Sequence, residues 1–282
     1  MAYWEWGDSA AGHVIVCVHG LSRQGRDFDV LARSLVSKSG GAVRVVCPDV
    51  VGRGESDWLQ DPALYQVPTY AADMLALLAL LKPTTLDWLG TSMGGLIGMA
   101  VSHALGTTHA EVSVGIRKLV LNDVGPVIQW ESIVRIGTYL GRNMNFGSLQ
   151  AAADALWIIS SSFGPHTPEQ WLELSRPMVK PRSDGQSGVR LHYDPAIAIS
   201  VRAVTAEAAA QGEAMLWYLY DAISAPTLLL RGANSDLLAP ATALQMTQRG
   251  PKAQLVVFTG VGHAPTLIAT EQVDTVASFL LT

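Results

Sequence analysis

Short unbroken apolar runs alternate along the chain with longer stretches in which apolar residues return every three or four positions. Val14–Val18 is continuous and stops at His19-Gly20, as a strand covered on both faces does. From Asp27 to Lys38 the apolar residues fall at 28, 30, 31, 35 and 36, one face of a helix. Val43–Cys47 predicts the next strand, closed by Pro48. Tyr70–Leu81 then predicts a helix, Thr85–Leu89 a strand, Met93–Ala104 a helix and Arg117–Leu121 a strand. Such alternation predicts an α/β fold with a mostly parallel sheet and helices on both faces.

The rhythm changes between about 125 and 220. Stretches 131–142, 148–162, 167–177 and 196–220 have helical periodicity, and no buried strand is evident among them. A polar loop, Pro181–Gly188, lies between the third and fourth. The earlier alternation returns with strand Thr227–Leu230, helix Pro240–Arg249, strand Leu255–Phe258 and helix Glu271–Leu281. Pro240 suits the first turn of its helix, where a missing N–H costs nothing. The expected organisation is a core formed by 1–124 and 221–282 with a helical cap, or lid, at 125–220. Four tryptophans, Trp130, Trp157, Trp171 and Trp217, fall in this insertion. They either line an apolar pocket or form the insertion's own small core.

The chemistry concentrates at strand ends. Gly90-Thr91-Ser92-Met93-Gly94 follows one predicted strand and opens a helix. This is G-x-S-x-G in the strand–turn–helix setting that exposes a serine hydroxyl above a helix N-terminus. A serine needs a base. Of seven histidines, His263 lies after the last strand in Gly262-His263-Ala264, where it can reach Ser92. His13, His103, His109, His166 and His192 lack such a setting and read as structural or surface residues. His19 reads as a loop-fixing residue. The base needs an acid to orient it. Asp236, after strand Thr227–Leu230, gives the order Ser92, Asp236, His263; Asp123, after Arg117–Leu121, is the rival. An oxyanion would be met by the backbone N–H of Met93 and by that of Leu21 in His19-Gly20-Leu21-Ser22.

Composition narrows the partners. The chain has 282 residues, a net charge of −5 and 49% hydrophobic residues, which fits a globular protein and argues against a nucleic-acid binder. The N-terminus lacks a signal-peptide pattern, and the apolar segment Met74–Leu81 is far short of the roughly 20 residues that span a bilayer. A cytoplasmic protein with no membrane partner is expected. Cys17 and Cys47 sit within apolar runs and read as buried thiols. No cofactor is expected: histidines and carboxylates do not cluster at metal-ligand spacing, and no dinucleotide-binding glycine pattern opens the first strand–helix turn.

With these motifs in place, the chain resembles the α/β-hydrolase fold superfamily over nearly its whole length. The His-Gly-Leu loop, Asp49–Asp57, the serine turn, Arg231–Asp236 and Gly262-His263 carry the resemblance. It implies a central sheet of about seven or eight strands, with only Tyr3–Trp6 ahead of the first long strand. It implies Ser92, Asp236 and His263 as the triad, Leu21 and Met93 as oxyanion donors and residues 125–220 as the cap. The Gly52–Asp57 loop corresponds to a family turn near the pocket and reads as structural bracing. A serine at 92 argues against members that use a carboxylate nucleophile. The expected activity is hydrolysis of carboxylic esters, small to medium acyl or oligoester substrates, through an acyl-enzyme. C–C bond hydrolysis, lactonase, perhydrolase or acyltransferase chemistry would use the same triad. For a C–C hydrolase, an arginine in the pocket, among Arg142, Arg182 and Arg190, would meet an acidic substrate. A ligand-binding receptor on the same fold is a further alternative. Oligomeric state is not legible.

Overall fold

The computed structural model of the chain describes residues 1–107 and 112–282. Its elements begin with β1 (Tyr3–Trp6), β2 (His13–Val18), α1 (Asp29–Lys38), β3 (Val43–Pro48), α2 (Val67–Leu81), β4 (Thr85–Thr91), α3 (Met93–Thr107) and β5 (Ile116–Asn122). Next come α4 (Trp130–Tyr139), β6 (Asn145–Phe146), α5 (Leu149–Ser160), α6 (Pro168–Ser175), β7 (Val179–Pro181), β8 (Val189–Leu191), α7 (Ile197–Arg202) and α8 (Ala206–Asp221). The chain closes with β9 (Thr227–Gly232), α9 (Pro240–Met246), β10 (Gln254–Phe258) and α10 (Thr270–Leu280). Among the described residues no helix is long and apolar enough to cross a membrane.

The main sheet has seven strands in the order β1-β3-β2-β4-β5-β9-β10. β1 is antiparallel to β3, and the other pairings are parallel. Strand pleat explains why the buried runs are continuous. Val14, Val16 and Val18 of β2 enter one core, with Trp88, Leu121, Leu229 and helix residues such as Met74 and Ile97. Ile15 and Cys17, pointing the other way, enter a second core with Leu31 and Leu35 of α1 and Val273 and Val276 of α10. Both cysteines are buried free thiols.

The segment between β5 and β9 is less purely helical than its periodicity predicts. It contains a small antiparallel sheet in the order β6-β8-β7. The stretch expected as one helix over 196–220 is two, α7 and α8. The Thr205 hydroxyl accepts a hydrogen bond from the Ala208 N–H and starts the second. Trp171 is buried with Ala153, Leu156, Leu174 and Met178 in a core local to this segment, and Trp157 packs against it. The two indoles meet edge to face, 5.0 Å between ring centroids.

Candidate active site

β4 ends where the sheet reverses its order of connection, the place at which open α/β sheets form a crevice. The turn into α3 is tight enough to put Ser92 at φ +52°, left-handed backbone that a non-glycine residue adopts only under constraint. Two glycines permit it. A Cβ on Gly90 would run into the Gly94 backbone, and a Cβ on Gly94 would run into the Val18 carbonyl. The Ser92 N–H donates to the Asn122 carbonyl of β5 (2.9 Å), fixing the turn to the neighbouring strand.

The Ser92 hydroxyl lies 2.9 Å from Nε2 of His263. Nδ1 of His263 lies 2.7 Å from Oδ2 of Asp123. The carboxylate that meets His263 is therefore Asp123, and not Asp236 as expected. Asp123 is wholly buried. Its Oδ1 accepts from the Gly232 N–H (2.9 Å), and Oδ2 also accepts from the Ser235 hydroxyl (2.6 Å). Asp236 instead pairs with Arg135 of α4 across 2.5 Å, its side chain 54% exposed. The local reason is the loop after β9. The Ser235 hydroxyl accepts from the Leu237 and Leu238 N–H groups while donating to Asp123, so the loop closes on Ser235 and leaves Asp236 to face α4.

The backbone around Leu21 is also held. The Gly20 carbonyl accepts from Nδ1 of His19 (2.7 Å) and from the Arg23 N–H (3.1 Å). In a trans peptide the N–H points opposite the carbonyl, so these bonds aim the Leu21 N–H the other way. Nε2 of His19 accepts from the Val50 N–H at 2.9 Å. Burial pushes the His19 imidazole down to about 3, and it stays neutral with its proton on Nδ1. Neither the Leu21 nor the Met93 N–H has an internal acceptor among the described residues.

Three further residues brace the site. Arg53 is completely buried. It donates to the Leu21 carbonyl (2.8 Å), the Val51 carbonyl (2.7 Å) and the Tyr70 hydroxyl (3.1 Å), with Sδ of Met93 at 3.6 Å. Burial lowers its pKa from the usual guanidinium value. The second is Asn122, whose Nδ2 donates to the Thr91 hydroxyl and the Pro265 carbonyl, each at 2.9 Å, tying the serine turn to the histidine loop. The third is Ser235. The Gly52–Asp57 loop was legible as bracing, although its guanidinium's target was not. Nothing in the local sequence marks Asn122 or Ser235.

A cavity of about 320 Å³ opens over Ser92 and His263. Its walls come from both parts of the chain: Leu21 and Thr266 on one side, Ile136, Met144, Ile159 and Phe163 on the other. None of the four tryptophans lines it. Arg142 does, whereas Arg182 pairs with Asp184 and Arg190 lies over the Trp58 ring. His166 bonds Gly164 and Thr266, His13 bonds Asp87, and His192 lies 3.7 Å from Glu55. His103 meets the Tyr218 ring edge, and His109 lies outside the described residues. No three His, Cys, Asp or Glu side chains converge as a metal-ligand set among the described residues.

A family model described as "Alpha/beta hydrolase family" matches residues 15–278. The chain belongs to the α/β hydrolase family. A 3-hydroxybutyrate-oligomer hydrolase of Cupriavidus necator is 48% identical to this α/β hydrolase, covering 99% of this chain and 92% of the relative. The crystal structure of an α/β hydrolase from Novosphingobium aromaticivorans is 34% identical, with a TM-score of 0.82 and coverage of 99% and 92%. An esterase of Mycobacterium tuberculosis is 20% identical, with a TM-score of 0.70 over 99% of this chain and 87% of that one, a likeness of fold alone.

Proposed function

We propose that this α/β hydrolase cleaves carboxylic esters through a serine-bound acyl intermediate, and that its substrates are short oligoesters of hydroxy acids such as 3-hydroxybutyrate. The hydrogen-bonded chain from Ser92 through His263 to Asp123, opening into the cavity, is the observation that supports the chemistry. The substrate class rests on the 48% identical relative.

In this mechanism Oγ of Ser92 attacks the ester carbonyl as Nε2 of His263 takes its proton. Asp123 holds Nδ1–H and stabilises the imidazolium. The N–H groups of Leu21 and Met93 receive the oxyanion, aided by the N-terminus of α3. His263 then passes the proton to the leaving alkoxide, and the carbon–oxygen bond breaks. Water repeats the sequence in reverse sense and frees Ser92. Residues 125–220 act as the cap that supplies the cavity's second wall and limits water around the acyl-enzyme.

The test is hydrolysis of a p-nitrophenyl ester series and of 3-hydroxybutyrate trimer, with Ser92→Ala alongside. Turnover of both that disappears in Ser92→Ala is the expected result. Activity retained by Ser92→Ala overturns the nucleophile. Turnover of the p-nitrophenyl esters without the trimer overturns the substrate class.

A further inference from the structure

Five acidic or guanidinium side chains line the catalytic cavity: Arg23, Asp27, Arg135, Arg142 and Asp236. Four of them are paired. Arg23 grips Asp27 through Nε at 2.6 Å and Nη2 at 2.7 Å, and burial still raises the Asp27 carboxyl above its ordinary range. Arg135 is taken by Asp236. Arg142 is the exception. Its Nε donates to the Thr138 carbonyl at 2.9 Å, which steadies the guanidinium just beyond the end of α4. Among the described residues no carboxylate stands within ion-pairing distance of it. Both terminal amino groups remain available in the planar arrangement that matches a carboxylate.

The surroundings give this cation a meaning that an ordinary surface arginine lacks. The chain as a whole carries −5, yet the cavity mouth holds one uncompensated positive charge. The wall beside it is apolar, with Ile136, Leu140, Met144 and Phe146. A linear hydroxy-acid oligoester has neutral linkages, a hydroxyl at one end and a free carboxylate at the other. The carboxylate is its one charged handle.

We propose that Arg142 binds the free carboxylate end of the oligoester and so sets the direction in which the chain enters the site. This rests on the oligoester function proposed above. With the carboxylate on the α4 side, that end belongs to the leaving alcohol. The Ser92 oxygen–carbon bond forms, the ester carbon–oxygen bond breaks, and the proton from Ser92 passes through His263 to the departing alkoxide. The acid-terminal fragment is released first, and the hydroxyl-terminal remainder stays on Ser92 until water frees it. The enzyme would therefore hold each chain by its acid end, with α4 on the leaving-group side of Ser92.

The experiment compares kcat/KM for 3-hydroxybutyrate trimer as the free acid and as its terminal methyl ester, in the wild type, Arg142→Gln and Arg142→Lys. The expected wild-type preference for the acid is about tenfold, expressed in KM and reduced by added salt. In Arg142→Gln the ratio should fall close to one, with Arg142→Lys between. A wild-type ratio near one, or an unchanged ratio in Arg142→Gln, overturns the anchor while the oligoester function stands. If the wild type cleaves p-nitrophenyl butyrate but neither trimer, the oligoester function itself fails, and the anchor with it.

Discussion

Asp123 is held by Gly232, Ser235 and His263 together, so its charge has no path to solvent and its orientation no freedom. Replacing it with Asn keeps the shape but lets the amide favour the wrong imidazole tautomer. Asp123→Asn should lower kcat for an ester by about 10³- to 10⁴-fold with the fold intact by circular dichroism. Asp236→Asn should cost no more than a fewfold in the same assay. Ser235→Ala removes one hydrogen bond to the carboxylate and should lower kcat by about tenfold, since one charge-assisted bond is worth roughly 1.5 kcal/mol. The contact between Ser92 and His263 was legible because each sits in a short motif with a mechanical reason behind it. Which aspartate meets His263 was not, because Asp123 and Asp236 follow two adjacent parallel strands. What separates them is the turn closed by the Ser235 hydroxyl, a contact between segments over a hundred residues apart.

At the scale of elements, the site depends on how closely β4, α3 and β2 approach. Gly94 abuts the Val18 carbonyl, and a methyl group there has no soft neighbour to displace. Gly94→Ala should destabilise the protein by about 2 kcal/mol, lowering the melting temperature by several degrees, and should cut activity further by shifting Ser92. The sheet strands and the helices flanking them were readable because each fills two cores through continuous or periodic apolar positions. The small sheet of β6, β7 and β8 was not. Its strands are two or three residues long, with Lys180 facing Arg190 across the pairing, too short for any period to register. The break between α7 and α8 escaped because apolar periodicity continues through Thr205, and only the hydroxyl's cap shows the restart.

For the whole molecule, charge and protonation act over different ranges. The Arg135–Asp236 pair joins α4 to the loop after β9, but both side chains are about half exposed. A double-mutant cycle with Arg135→Gln and Asp236→Asn, read by thermal melts, should therefore give a coupling under about 1 kcal/mol. His19 has a larger reach. Its folded pKa lies below its unfolded value, so its contribution is complete above the ordinary value of 6.5 and is lost as pH falls toward about 3. The wild-type melting temperature should decline more steeply from pH 6.5 to 4 than that of His19→Gln, which keeps an acceptor for Val50 and binds no proton. A different consequence follows from the strand pairing beneath the site. Thr91 of β4 is in register with Asn122 of β5, so the residues that follow them, Ser92 and Asp123, are locked by backbone bonds at the middle of the sheet. The histidine hangs on a loop beyond β10, the outermost strand. Its place over Ser92 therefore rests on side-chain bonds, above all the one from Nδ2 of Asn122 to the Pro265 carbonyl, and not on the strand ladder that holds the other two.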